Sequence, residues 1–347
     1  MESLPVDISH PAVQDYLSLV RCVSISVPFH ADPAVARSLY RLQVLTPLSL
    51  LINIASILVC SLIVSPSAGK YILILHAVGF LYWWCSGDIM KSYPTSISPS
   101  PRIIAAYVVA IFLGQIGYCV LLVIARKPET KTALVKAVGL SLVVANWLMA
   151  LWAISWVLEF FLISTILLGL LVLCLLYSNI TLLMYHPPTS SHPLDMALIH
   201  APLRFFLILP LSLLFPYSLF ITLGLFYSPG HPEHYADFAW PGFGVAFGAN
   251  ILGLVVILTR CDIVWAVAAT WICTSIWSAR PKPAPVYITV ILFTALHPLA
   301  LLGTLLYRRL SKREGRIALP TDEGQDTGTS GRRGPREVDA EALWGSG

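Results

Sequence analysis

Charge is scarce in this chain. Asp, Glu, Lys and Arg make up 12 % of its 347 residues, against about 25 % in a typical soluble domain. Apolar residues make up 57 %. A soluble enzyme of this size needs a polar surface that this composition does not supply, so that class is excluded. The same apolar excess excludes a disordered chain. A secreted disulfide scaffold is excluded by the cysteines, seven in all, scattered and without a Cys-x-x-Cys pair. They read as small apolar fillers. No Walker loop, GxSxG or GxGxxG stands in a fitting context, so nucleotide-driven and Ser-hydrolase chemistry lack support. The first 41 residues also lack the basic, apolar and small-residue parts of a signal peptide.

What the chain has is long charge-free runs. No Asp, Glu, Lys or Arg occurs in 42–69, 103–125, 160–194, 205–232, 238–259, 263–279 or 283–307. Hydrocarbon about 30 Å thick needs about 20 apolar residues per helix. The runs do not alternate as barrel strands would, and helices satisfy their own backbone in lipid. The chain therefore reads as an all-α membrane protein, a polytopic transmembrane helical bundle of about nine spans, with eight as the runner-up. The spans are Leu42–Val64, Tyr71–Met90, Ile103–Ala125, Leu134–Ile154, Trp156–Ile180, Phe205–Tyr227, Trp240–Leu258, Asp262–Ser278 and Ala284–Tyr307. Residues 1–41 form a soluble N-terminal arm, 42–307 the bundle, and 308–347 a basic juxtamembrane segment and disordered tail.

With nine spans, twelve Lys and Arg residues flank one set of loops and seven the other. The positive-inside rule puts the richer side in the cytoplasm, with the N-terminus exoplasmic or lumenal and the C-terminus cytoplasmic. Trp83, Trp84, Trp152, Trp156, Trp240 and Trp277 then fall near outer ends of spans, and Trp265 near an inner end. The net charge of +4 reflects cytoplasmic flanks and not nucleic-acid binding. The implied partner is the lipid bilayer.

Polar groups inside spans are costly and invite functional questions. His76, Glu159 and His297 are ionisable, and Asn53, Gln115, Asn146, Asn179 and Asn250 are amides. Interhelical glue is the plain reading of the amides. His297 precedes Pro298, which frees a carbonyl near Thr294. Glu159, three residues into the fifth span, reads as snorkelling to the outer interface. Gly244 and Gly248 make one GxxxG, read as close packing within the bundle. Two loop clusters, His186/His192/Asp195/His200 and His231/Glu233/His234/Asp237, carry metal-ligand chemistry without a recognised spacing, so no metal or other cofactor is assigned. Arg260 and Asp262 flank Cys261 in a tight hairpin. They are expected to act together there, with Asp262 capping the eighth helix.

Three blocks, NWLMALW (Asn146–Trp152), HAPLRFFLILPLSLLFPYSLF (His200–Phe220) and RCDIVWAVAATWICTSIW (Arg260–Trp277), resemble fungal multi-pass membrane proteins. They also look remotely like the larger relatives of the tryptophan-rich sensory, or translocator, proteins. The better known members have five helices against nine here, so porphyrin or sterol binding is not carried over and no catalytic residue transfers. The leading expectation is binding or transport of a small hydrophobic or amphipathic ligand by Asn146, Trp147, Trp152, Glu159, Trp265, Trp271 and His297. A structural, partner-recruiting membrane protein comes second. An intramembrane enzyme using the His186/His192/Asp195/His200 loop comes third.

Overall fold

The structure, a computed structural model, describes residues 33–64, 89–125, 130–131, 133–185 and 196–314. The apolar runs become helices: α1 (Pro33–Val64), α2 (Pro101–Ile124), α3 (Gly139–Val157), α4 (Phe161–Tyr185), α5 (Ala197–Thr222), α6 (Ala239–Arg260), α7 (Ile263–Trp277) and α8 (Ala284–Glu314). Among the described residues there is no strand. Seven of these helices are long and apolar enough to cross a membrane. The eighth, α7, has 15 residues. The fold is an all-α polytopic bundle. The expected second span, Tyr71–Met90, lies outside the described residues except for its last two. So do His76, Trp83 and Trp84.

Local chemistry moves several boundaries. The expected fifth span began at Trp156, but Trp156 is the penultimate residue of α3. The chain reverses over Leu158–Phe160, where Glu159 takes a positive φ of 58°. Phe160 N–H donates to Ser155 O and Glu159 N–H to Trp156 O, the paired bonds that end a helix on a left-handed residue. Glu159 is thus an exposed turn residue and not part of a span. Its carboxylate accepts from Tyr93 Oη at 3.2 Å. The helix expected from Phe205 starts eight residues earlier. It carries Pro202, Pro210 and Pro216 by widening into π turns at Met196–His200 and Pro210–Leu214, which shift the hydrogen-bond register around the missing N–H groups.

Hydrogen bonds between helices fix their directions. Gln43, early in α1, donates to Leu122 O near the end of α2. Start therefore meets end, and α1 runs antiparallel to α2. The nine-span reading placed these two residues on opposite faces of the membrane; the bond places them at one end. Tyr118 reaches Leu134 O at that same end, called inner below. At the outer end Tyr217 of α5 donates to Tyr93 O, and Trp271 of α7 donates to Ile103 O. Val64 and Ile89, the described residues that flank 65–88, both belong to the outer end.

An irregular segment, residues 93–100, fills the outer mouth of the bundle. Thr95, Ser96 and Ile97 are buried. Non-helical backbone at such depth needs protein partners, and it has them. Tyr227 N–H donates to Pro94 O, Ser100 N–H to Ser275 O, and Lys282 Nζ to Ser98 O. Gly242 admits this segment to α6, because a Cβ there would lie 2.2 Å from Ser96 Oγ and 2.8 Å from its Cβ. Around Gly244 and Gly248 there is nothing within 4 Å of a built Cβ. The close packing expected of that GxxxG is therefore absent.

At the inner end, Asp262 caps α7 by accepting from Trp265 N–H at 3.1 Å, as the sequence predicts. Its expected partner is wrong. Arg260 is exposed, and the cation on Asp262 is Arg204 of α5, whose guanidinium donates to Oδ2 at 2.5 Å. Arg204 and Asp262 are each 6 % exposed. Sequence neighbours lose here because Cys261 adopts a left-handed turn (φ 53°), and Arg204 enters from a different helix.

Two predictions follow from this packing. Asn at position 262 still caps but leaves a buried guanidinium without its carboxylate. Breaking such a pair costs about 3–5 kcal/mol, against about 0.5–2 kcal/mol for a cap alone. Asp262→Asn should therefore lower the thermal midpoint about as much as Asp262→Ala, and adding Arg204→Met should recover much of the loss. A wild-type midpoint for Asp262→Asn would show that the pair carries no weight. Separately, Gly242→Ala should destabilise, Ser96→Gly should rescue it, and Gly248→Ala should leave the midpoint unchanged.

Candidate functional site

Between α5, α6 and α7 lies a small, partly enclosed crevice with a cavity volume of about 10 Å³, room for one water-sized group. Small side chains make it. Ala246 and Ala249 of α6 face Ala269 of α7, with Val245, Ile272 and Ile276 around them. Ile97 of the outer segment closes one end. Two polar residues line it, Ser212 and Asn250. Ser212 sits in the Pro210–Leu214 π turn, a distortion frequent at functional positions. Among the described residues no charged side chain lines the crevice.

Asn250 joins the crevice to a buried polar cluster where α6, α7 and α8 meet. Its Nδ2 donates to Ala246 O at 2.7 Å, and its Oδ1 accepts from Cys273 Sγ at 2.9 Å. Its backbone carbonyl lies 3.3 Å from His297 Nε2. A carbonyl only accepts, so Nε2 is the donor in this contact. His297 is fully buried, and Nδ1 has no partner. Gly253 lets the Trp265 indole approach, since a Cβ there would meet Nε1 at 2.9 Å. His297 therefore does not bond the carbonyl freed by Pro298 on its own helix; it reaches across to α6.

The seven residues singled out from the sequence do not gather in one cavity. Asn146 lies between α1 and α3, where Asn53 Nδ2 donates to its Oδ1 at 3.1 Å. Trp147 is 45 % exposed and faces outward from the bundle. Trp152 stacks near Trp156 at the outer end, ring centroids 5.8 Å apart. Glu159 is in the α3–α4 turn described above. Trp271 packs edge-on against Tyr107. Only Trp265 and His297 come together, at the three-helix cluster. Sequence reading had noted Asn250 among the amides and missed Ser212 and Cys273. A serine in a Pro-rich run and a scattered cysteine carry no spacing signal.

The two loop clusters fare differently. His186, His192 and Asp195 lie outside the described residues, and His200 is buried in α5. In the outer loop the groups pair off, His231 with Glu233 at 3.1 Å and His234 with Asp237 at 3.0 Å, all well exposed. Among the described residues no three His, Cys, Asp or Glu side chains gather as a metal site.

Lys282, in the loop between α7 and α8, is half-buried. Burial pushes its ammonium down, to about 7. Between that value and the ordinary 10.5 the unfolded chain holds the proton and the folded chain does not. Stability from this group therefore falls as pH drops through that window and levels off below it. Lys282→Met should flatten the slope of the thermal midpoint between pH 7 and 10. An unchanged slope would assign the pH dependence elsewhere.

Among curated proteins and among solved structures, none matches the chain. One family model does, described as TSPO-like protein, over residues 71–305. The matched stretch begins after α1 and takes in α2 to α7, most of α8, the crevice and the three-helix cluster. A match over that much of the sequence makes this chain a member of the TSPO-like protein family.

Proposed function

We propose that this integral multi-pass membrane protein binds or carries a small hydrophobic or amphipathic ligand, whose polar end enters the α5–α6–α7 crevice. The observation that carries the reading is the lining: apolar walls built from small side chains, with a hydroxyl and an amide as the polar groups. Such a site recognises an apolar body with a neutral polar end. The lack of a cation in the lining disfavours ligands that bring carboxylates, because a buried anion needs a partner. Filling the crevice is the direct test. Tryptophan fluorescence of the purified protein should be quenched saturably by a neutral amphipath. Ala249→Leu should weaken that binding by about tenfold or more, on the order of 1.4 kcal/mol. No saturable response to either neutral or anionic amphipaths would sink the reading.

The orientation is revised with it. With α1 antiparallel to α2, the described Lys and Arg residues toward the inner end are Arg37, Arg41, Lys131, Lys136, Arg204, Arg260 and, on the last turns of α8, Arg308, Arg309, Lys312 and Arg313. These ten stand against Lys91, Arg102, Arg280 and Lys282 toward the outer end. This asymmetry exceeds that of the nine-span arrangement and favours both termini in the cytoplasm. Epitope tags at the two ends should be digested together in inside-out vesicles and be protected together in right-side-out vesicles. Digestion of a single tag from each side would restore the opposite placement of the N-terminus.

A further inference from the structure

The first helix, which precedes the family match, brings a stripe of polar residues into the bundle. Thr46, Ser49 and Asn53 of α1 are 1 %, 1 % and 0 % exposed. Their spacing of three and four residues puts them on one helix face. Across from them stand α3, through Asn146, and α2, through Leu122. Gln115 of α2 is 2 % exposed. It lies seven residues before Leu122, close to two helical turns, and so shares the face that meets α1. Because the two helices run antiparallel from the Gln43–Leu122 contact, ten ångströms or so back along α2 reaches Gln115. The same distance forward along α1 falls between Thr46 and Asn53.

These groups do not satisfy one another. Asn53 Nδ2 donates to Asn146 Oδ1, Asn146 Nδ2 reaches Ser49 Oγ at 3.5 Å, and Ser49 Oγ donates to Thr46 O. That leaves Thr46 Oγ1, Asn53 Oδ1 and both amide atoms of Gln115 without a partner. Four orphan polar atoms within two turns of a buried helix interface are costly together. The set offers acceptors (Asn53 Oδ1, Gln115 Oε1), a donor (Gln115 Nε2) and a hydroxyl that does both (Thr46 Oγ1). It holds no charge.

We infer that α1, α2 and α3 enclose a site for hydroxyl groups, with Gln115 at its centre and Thr46 and Asn53 at its two ends. A hydroxyl gives one hydrogen bond and takes two, which matches a set mixing donors and acceptors. Ions are a poorer match, since no side chain of opposite charge is present to offset their desolvation. The hydroxyl comes from a resident water or from the head of an amphipathic alcohol. The site is separate from the α5–α6–α7 crevice and stands or falls independently of it.

The sign of a stability change tests it in the full-length protein in detergent. Gln115→Met removes the amide and keeps the shape. If a hydroxyl occupies the site, the variant loses hydrogen bonds and its thermal midpoint falls, by about 2 °C or more. If the orphans are truly unpaired, deleting them relieves a penalty and the midpoint rises or stays. That second result overturns the inference. Thr46→Val, nearly isosteric, reads the same sign should Gln115→Met fail to fold. The source is read with 1-decanol against 1-methoxydecane. A lowered midpoint in the variant, with decanol alone stabilising the wild type and neither stabilising the variant, assigns the head of an alcohol. A lowered midpoint with no response to either assigns water.

Discussion

Every polar group in this bundle must find its partner inside the protein, because the surrounding hydrocarbon offers none. That constraint explains the features that depart from plain apolar helices. The buried segment at residues 93–100 is tolerated because a tyrosine hydroxyl, a lysine ammonium and backbone amides from other elements meet its peptide groups. The prolines of α5 survive because π turns take up the register they disturb. Arg204 and Asp262 persist at the inner end only as a pair, with the second carboxylate oxygen of Asp262 used to cap α7. Among the described residues the constraint is left unmet at several buried side chains, Thr46, Asn53, Gln115 and His297 among them.

Much of the fold was legible because hydrophobic length is a strong signal in lipid. Eight charge-poor runs of the expected nine have a described helix. The failures have local physical causes. No charge separates Trp156 from the preceding run, so the sequence alone starts a span there and sets Glu159 three residues inside it, snorkelling to the interface. The left-handed turn that frees it needs no glycine or proline, so nothing in the sequence marks it. Proximity in the sequence offers Arg260 and Asp262 each other or the neighbouring helix ends as partners; the cation on Asp262 comes 58 residues earlier in the chain. Helix direction was likewise invisible until Gln43 was seen to meet Leu122.

The site was less legible than the fold. Aromatic and ionisable residues drew attention, yet Trp147 faces outward and Trp271 is spent on a backbone carbonyl of α2. The crevice instead depends on alanines, whose contribution is the space they leave. Small residues in an apolar run look alike whether they line a cavity or pack against a neighbour. Family membership supplies the architecture of residues 71–305 and says nothing of α1, which lies before the matched region and contributes the Thr46–Ser49–Asn53 stripe.

Helix α7 is short, and its length shapes one mouth of the bundle. Its 15 residues rise about 22 Å, roughly 8 Å less than ordinary hydrocarbon thickness. The left-handed turn at Cys261 draws the end of α6 and the start of α7 into one tight hairpin. Because α6 leaves that hairpin with a full 22 residues, the deficit falls at the far, outer end of α7. The irregular segment at 93–100 meets it there, with Ser100 N–H donating to Ser275 O. The stunted helix and the buried segment are thus one device: the turn that α7 leaves out is the room in which non-helical backbone is lodged.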